Sequence, residues 1–317
     1  MNKRKSFLVT GCAGFVPGHL IEYLLEHNYQ VIGLDDLSIG RKQAMASFIK
    51  HPQFEFVKAD VRDRKVLKKL VAKVDYIYHG AVRGVTVSTD LPIEDLRVNT
   101  ESTLTLLELA KENKITQFIY PSSASVYGNP KRLPEKEEDN PLPLSPYGVS
   151  KLASERYCLA YHHLYSLPVV CLRYFNTYGP RQRRDSIYGG VISVFFDQAL
   201  KGKKLTVYGK GEQTRDFVFI SDNIRATVAA IDNKKVNGQV INVATGKEVT
   251  VGNLATVILK TVGKKNQGTK SVRERKIDNI KRRRGDITRA KELLNYQPKV
   301  GLKQGLKETF KWFEDNL

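Results

Sequence analysis

Tyr147 and Lys151 stand four residues apart in SPYGVSK, directly after the proline-rich run NPLPLSP. On a helix, positions i and i+4 lie one above the other on one face, so the Lys151 ammonium can reach the Tyr147 hydroxyl. A nearby ammonium favours the phenolate, and a tyrosine with a lowered pKa can take up a proton near neutral pH. A solvent-facing pair on an ordinary helix has the same spacing, so the two residues gain meaning only from further groups beside them.

A second group lies at the start of the chain. The stretch TGCAGFVPG, Thr10 to Gly18, follows an apolar run and opens the helical run HLIEYLLEH. There Gly11 permits a tight turn, Gly14 lets the backbone approach a pyrophosphate, and the amides along Ala13, Phe15 and Val16 attract its charge. About twenty residues on, a β-rich run ends in Asp35 and Asp36, where a carboxylate can accept from both ribose hydroxyls of an adenosine. Asp35 would repel a 2′-phosphate, which favours NAD over NADP; Arg41 and Lys42, a few residues further, weaken that preference. A glycine turn without a ligand is the alternative, and strand, helix and acid in register argue against it.

The elements that must position these groups follow a βαβ rhythm over the first 125 residues or so: FLVTG, HLIEYLLEHN, QVIGLD, a polar helix, FEFVKAD, RKVLKKLVAK, DYIYHGA, a helix from about Leu91 to Asn113, and QFIYPSS. Strands separated by helices of this length predict a parallel sheet covered on both faces, with ligands at the carboxyl ends of its strands. LPVVCLRYFN supplies another strand after the Tyr147 helix, and SDNIRATVAAI and QVINVA a helix and strand that return to the sheet. The expected organisation is a doubly wound α/β Rossmann-type domain over 1–175 with 217–246 returning to it. A smaller discontinuous domain, 176–216 and 247–317, would hold the substrate.

At 317 residues, 41% hydrophobic and 27% charged, the composition is that of an ordinary globular chain. No apolar run approaches the length of a membrane span, and MNKRKSFLVTG passes from a basic tail straight into a strand, so a cytoplasmic protein with no membrane partner is expected. Cys12, Cys158 and Cys171 match neither a disulfide framework nor a zinc pattern, and no metal is expected. The net charge of +19 gathers late, between Lys264 and Lys291. It implies a polyanion: nucleic acid, a substrate with a pyrophosphate, or simply solvated charge.

Taken together, TGCAGF, YGVSK, the strand-end DD, the acid in KADV, PSSASVYGN, LRYFNTYGPRQ, GKGEQTRDFVFISD and GDITRAKELLNYQP resemble the extended short-chain dehydrogenase/reductase family, its nucleotide-sugar group, and UDP-hexose 4-epimerases above all. The resemblance runs nearly end to end. It implies tightly bound NAD, a UDP-sugar substrate, a homodimer and no nucleic-acid partner. By resemblance, Ser123, Tyr147 and Lys151 are catalytic, Tyr147 and Lys151 also border the cofactor, Asp60 and Val61 border the adenine, and Ala81 to Arg83 pass the nicotinamide ribose. Ser123 also touches the substrate, Asn176 and Arg215 contact its diphosphate, and Arg275, Asp278 and Arg282 are further candidates. Arg283, Arg284 and Arg289 are read as surface charges. The family's third loop glycine is displaced here by Pro17, with Gly18 following; a proline in a first helical turn gives up only an amide without an intrahelical acceptor. Where 4,6-dehydratases of the group carry an Asp-Glu pair, this chain has Ala124 and Ser125, which cannot transfer the protons of a dehydration. UDP-glucuronate decarboxylases generally place Glu at Ser125 and Arg at Gly190, so 4-epimerisation is expected. The small residues Ala124, Ser125, Gly189 and Gly190 lean toward UDP-N-acetylhexosamine, then UDP-glucose/UDP-galactose, with a UDP-glucuronate 4-epimerase as the sister possibility.

Overall fold

The structure, a computed structural model, describes residues 5–184, 190–273 and 279–316. Its first part alternates β1 (Ser6–Thr10), α1 (Phe15–Glu26), β2 (Gln30–Asp35), β3 (Phe54–Lys58), α2 (Arg64–Val71), β4 (Tyr76–His79), α3 (Val85–Asp90), α4 (Pro92–Asp95), α5 (Ser102–Glu112), β5 (Gln117–Ser123), α6 (Pro146–Tyr165), β6 (Val169–Tyr174) and β7 (Asn176–Tyr178). The rest comprises α7 (Val191–Leu200), β8 (Leu205–Tyr208), β9 (Thr214–Arg215), β10 (Phe217–Phe219), α8 (Ile220–Ala230), β11 (Gln239–Val243), β12 (Val249–Thr250), α9 (Val251–Thr261), β13 (Thr269–Val272), α10 (Thr288–Leu294) and α11 (Leu302–Asp315).

Seven strands form one parallel sheet in the order β11-β6-β5-β4-β1-β2-β3. Because side chains alternate along a strand, β1 sends Phe7 and Val9 into one core and Leu8 into the other. The first core takes Leu20, Ile21 and Leu24 from α1 and Ile224 and Ala230 from α8; the second takes Leu67 and Val71 from α2, Leu106 and Leu107 from α5 and Cys158 from α6. This is the doubly wound Rossmann-type α/β fold. The strand order reverses between β1 and β4, which opens a crevice at their carboxyl ends. β11 completes the sheet beside β6, while β8, β9, β12 and β13 make two small two-stranded pieces outside it.

Two elements differ from the sequence expectation. The polar helix after β2 is only a 3₁₀ turn, Lys42–Met45; Met45 and Phe48, with Ile49 partly buried beside them, anchor this stretch in the core, too few for a helical apolar stripe. The long helix from Leu91 to Asn113 is broken into α4, a wide π-type turn at Leu96–Glu101, and α5. Hydroxyls cause this: Thr103 and Ser154 both donate to the Asn99 carbonyl, at 2.6 and 2.8 Å, and draw it off the regular ladder.

Candidate active site

Gly11 turns at φ +69° right after β1 and donates its amide to the Leu34 carbonyl at 2.7 Å. A Cβ there would meet the Ala81 nitrogen at 2.8 Å, so only glycine lets the β1 and β4 loops close on each other. No side chain caps the start of α1, and first-turn amides have no intrahelical acceptor, which leaves a cradle for a phosphate. Pro17 does not disturb it: the Gly18 amide still bonds the Gly14 carbonyl at 3.1 Å, and the buried proline ring packs on Gly80.

Asp35 is buried at the end of β2, where its carboxylate accepts from the Ala13 amide at 3.0 Å and the Leu37 amide at 2.8 Å. It therefore ties the glycine loop to β2 while keeping lone pairs for a ligand, and burial pushes its carboxyl upward. Asp36 accepts from Ser38, and the Arg83 guanidinium lies across this end, bonding the Ser38 hydroxyl at 2.8 Å and Glu94 at 3.1 Å, with Asp36 at 3.8 Å. Arg62 continues the row, pairing Glu94 at 2.7 Å and forking onto Asp60, whose carboxyl it holds below the usual range. So the Arg83 side chain sits at the Asp36 end of the crevice, while the Ala81–Arg83 segment itself lines the cleft. Its backbone is fixed separately: Asn99 accepts from the Arg83 amide at 2.7 Å and donates to the Arg83 carbonyl at 3.1 Å. Nothing in the sequence singled out Arg62, Glu94 or Asn99, because the contacts that tie them into this row, Arg62–Glu94, Arg83–Asn99 and Arg83–Glu94, join positions 32, 16 and 11 residues apart.

Ser145 caps α6 by accepting from the Gly148 amide at 3.2 Å, and Pro146 occupies its first turn, so Tyr147 and Lys151 begin the helix on one face. Lys151 is buried with its ammonium 4.2 Å from the centre of the Tyr120 ring. Burial pushes it down to about 8, with Asp95 and Glu155 pulling the other way. Tyr147 is half-buried, as is Ser123 at the carboxyl end of β5. Ser122 and Ser125 are buried, Ser122 donating to Glu155 at 2.8 Å, which leaves Ser123 as the more accessible of the three hydroxyls. Ser123 itself caps the 3₁₀ turn Ala124–Tyr127 by accepting the Ser125 amide at 3.1 Å.

A cleft of about 2410 Å³ runs from the glycine loop to the late segments. Gly11, Ala13, Gly14, Phe15, Asp35, Asp36, Asp60, Val61, Ala81, Arg83, Asn176, Arg215 and Arg282 all line it. Val16 instead packs against the core, and Ser123, Tyr147 and Lys151 are not among the residues that line the cleft. Arg275 and Asp278 lie outside the described residues, as does Gly189. At the far end Arg215 donates to the Thr214 and Ile280 carbonyls at 2.8 Å, and Arg282 pairs with Glu248.

The reading of Arg283 as a surface charge is corrected: it is buried, donates to the Gly128 carbonyl at 2.9 Å and lies 3.5 Å from the buried Glu135. Burial pushes Glu135 up to about 7. Arg289 is half-buried and bonds the Val240 carbonyl at 2.9 Å, and Arg284 is half-buried with its amide on Glu135. A charge run in sequence does not disclose which of its guanidinium groups meets a buried acid 148 residues away. Arg181 and Arg183 were also missed; Arg181 forks onto Glu22 of α1 at 2.6 Å, and Arg183 bonds the Ile39 carbonyl, fastening the turn after β7 over the crevice.

A parallel sheet whose switch-point crevice leads from a glycine turn, past paired acids, to a Tyr/Lys helix defines a dinucleotide-dependent enzyme of Rossmann type. A family model, the NAD dependent epimerase/dehydratase family, matches residues 7–244. The chain belongs to that family and is an NAD-dependent isomerase. It is 37% identical over 311 residues to a UDP-glucose 4-epimerase of Mycolicibacterium smegmatis, covering 97% of this chain and 98% of that one. A UDP-N-acetylglucosamine 4-epimerase from Methanobrevibacter ruminantium M1, solved with UDP-N-acetylmuramic acid, superposes with a TM-score of 0.94 at 33% identity over 99% of this chain and 100% of that one. A UDP-glucuronic acid 4-epimerase from Bacillus cereus, solved with UDP-glucuronic acid and NAD, gives 0.91 at 35% identity over 98% and 100%. Among the described residues no helix is long and apolar enough to cross a membrane.

Proposed function

We propose that this enzyme inverts C4 of a UDP-hexose, with UDP-GlcNAc/UDP-GalNAc preferred and UDP-Glc/UDP-Gal next. The observation that carries the reading is the buried Lys151 one turn after the half-buried Tyr147 on α6, with its ammonium over the Tyr120 ring of β5, the strand whose carboxyl end carries Ser123. Bound NAD supplies a hydride acceptor, and then donor, for C4. Tyr147 takes the proton of the 4-hydroxyl and later returns it, Lys151 keeps the phenol acidic, and Ser123 holds the reacting oxygen by a hydrogen bond. The sugar must present both faces in turn, so it needs an anchor elsewhere; Arg215 and Arg282 line the far end of the cleft, where their guanidinium forks suit a diphosphate. Arg282 must exchange Glu248 for that ligand.

The small, buried Ala124 and Ser125 favour the bulkier 2-substituent and offer no carboxylate for dehydration or decarboxylation. Turnover of UDP-Glc, UDP-GlcNAc and UDP-GlcA, followed by NMR of the C4 configuration, ranks these substrates, and UDP-GlcA in first place would move the assignment to the glucuronate epimerases. Tyr147→Phe should abolish turnover and leave NAD bound; retained turnover removes Tyr147 from the chemistry. Were the charge of +19 there to hold nucleic acid, binding would persist without NAD and fall steeply with salt. We also propose a homodimer through the outer face of α4 and α6, where Ile93, Val149, Tyr157, Leu164 and Tyr165 are exposed; sedimentation tests it.

A further inference from the structure

Arg173 and Glu155 form the most deeply buried ion pair among the described residues, with side-chain exposures of 1% and 0%. The fork is two-pronged: Nε donates to Oε2 at 2.9 Å and Nη2 to Oε1 at 2.6 Å. A pair so buried is a poor source of stability, because desolvating both ions costs as much as their attraction returns. What it does supply is geometry.

Each member reaches a different part of the catalytic surroundings. Glu155 lies one turn after Lys151 on α6 and also accepts from the Ser122 hydroxyl at 2.8 Å; the next residue of β5 is Ser123. The Arg173 guanidinium covers the Tyr127 ring at 4.6 Å, at the end of the turn that Ser123 caps, and donates to the Glu137 carbonyl at 3.3 Å. Tyr127 is anchored in turn to Asn242 at 2.7 Å. Thus β5, β6, α6 and the Ala124–Tyr127 turn meet at one ion pair.

We propose that Arg173 and Glu155 are positioning residues for the reaction, fixing the rotation of α6 against the end of β5 so that Lys151 and Ser123 hold their places, and matching charge beside Lys151. This rests on the roles assigned above to Ser123, Tyr147 and Lys151. A helix held only by apolar packing can turn or slide by fractions of an ångström at little cost, whereas a two-pronged fork allows one arrangement. Lys151 faces Tyr120 and Cys171 from the sheet, His79 from β4, Asp95 from α4, and Glu155 and Cys158 from its own helix. Of the carboxylates in that set, Glu155 alone is matched by a buried guanidinium, so the pair adds no net charge. His79 bonds the Thr10 and Ser102 hydroxyls and is held neutral by burial.

The test titrates Lys151 in the NAD-loaded protein, by NMR of its labelled side chain, and records the pH dependence of UDP-sugar turnover for the same variants. Glu155→Gln leaves a guanidinium that cannot shed its proton, so both the Lys151 midpoint and the alkaline limb of turnover move acidward by about one pH unit. In Glu155→Gln/Arg173→Met the guanidinium is gone as well; the midpoint recovers by more than half while turnover stays at least about tenfold low, because α6 and β5 are no longer joined. Glu155→Asp keeps the charge and shortens the reach, so turnover falls with an unmoved midpoint, and this variant decides the matter if Glu155→Gln does not fold. A folded Glu155→Gln with wild-type midpoint and limb, or a Glu155→Asp with full turnover, overturns the proposal. If residual turnover of Lys151→Met keeps the alkaline limb, the assigned role of Lys151 fails instead, and the NMR midpoints still decide the positioning claim.

Discussion

Replacing Gly11 by alanine tests whether the crevice depends on the contact between the first and fourth strand loops. The added Cβ would stand 2.8 Å from the Ala81 nitrogen and 2.9 Å from the Ala81 Cα and the Gly80 carbonyl carbon. Heavy atoms prefer about 3.5 Å or more, so roughly 0.6 Å must come from the backbone. The strands cannot give, since Thr10 and His79 are paired in register, and the displacement falls on Gly80–Arg83 and on the bond from the Ala81 amide to the Thr10 hydroxyl at 3.1 Å. The left-handed φ costs alanine about 1–2 kcal/mol and the lost hydrogen bond about 1 kcal/mol. A total near 2–3 kcal/mol lowers Tm by about 5 °C in a chain of this length. NAD affinity falls with it, because the moved loop lines the crevice. Gly18→Ala is the control: its Cβ meets nothing closer than 3.9 Å and sits inside α1, where alanine gains up to about 1 kcal/mol. Calorimetric melting with and without NAD, and NAD titration of stripped protein, read both variants. Two glycine variants that behave alike, or a Gly11→Ala protein with wild-type Tm and NAD affinity, refute the reasoning.

Further outcomes are expected elsewhere. Arg283→Met strands the buried Glu135 carboxylate and should cost about 3 kcal/mol in thermal or denaturant unfolding, where a surface arginine would cost almost nothing. His79 is buried and held down at about 3, below its unfolded value of 6.5, so it contributes stability above pH 6.5 that is lost as pH falls toward 3. His79→Gln should therefore flatten the slope of unfolding free energy between pH 6 and pH 4 by up to about 1.4 kcal/mol per pH unit, measured by urea denaturation. Asp63 accepts from the Lys65 and Val66 amides at 2.9 and 3.1 Å at the start of α2, and Asp63→Ala should lower stability by about 1 kcal/mol with turnover unchanged. Glu248→Gln releases Arg282 and should lower KM for the UDP-sugar severalfold with kcat little changed, if Arg282 serves the diphosphate.

Much of this was legible in local sequence. The alternation of β-rich and amphipathic runs gives the parallel sheet, and the glycine turn, Asp35 and the α6 pair each fall where a strand ends or a helix begins. Proline at 17 leaves the start of α1 intact for a reason visible in sequence, its place in a first helical turn. The misses share a cause. The π-type turn at Leu96–Glu101 depends on Ser154, 55 residues from Asn99. Arg283 looked like its neighbours until Glu135 and Gly128 were brought to it.

By itself the sequence determined the fold class, the dinucleotide crevice and the spacing of Tyr147 and Lys151, because periodicity, turn residues and helix starts act over a few positions of chain. Only the tertiary structure decided which charges are matched: which arginines of the late basic run are buried, and what faces Lys151. The physical reason is desolvation. Whether a charged group is held, shifted or left to water depends on what distant segments fold over it, and residue type and spacing carry no record of that.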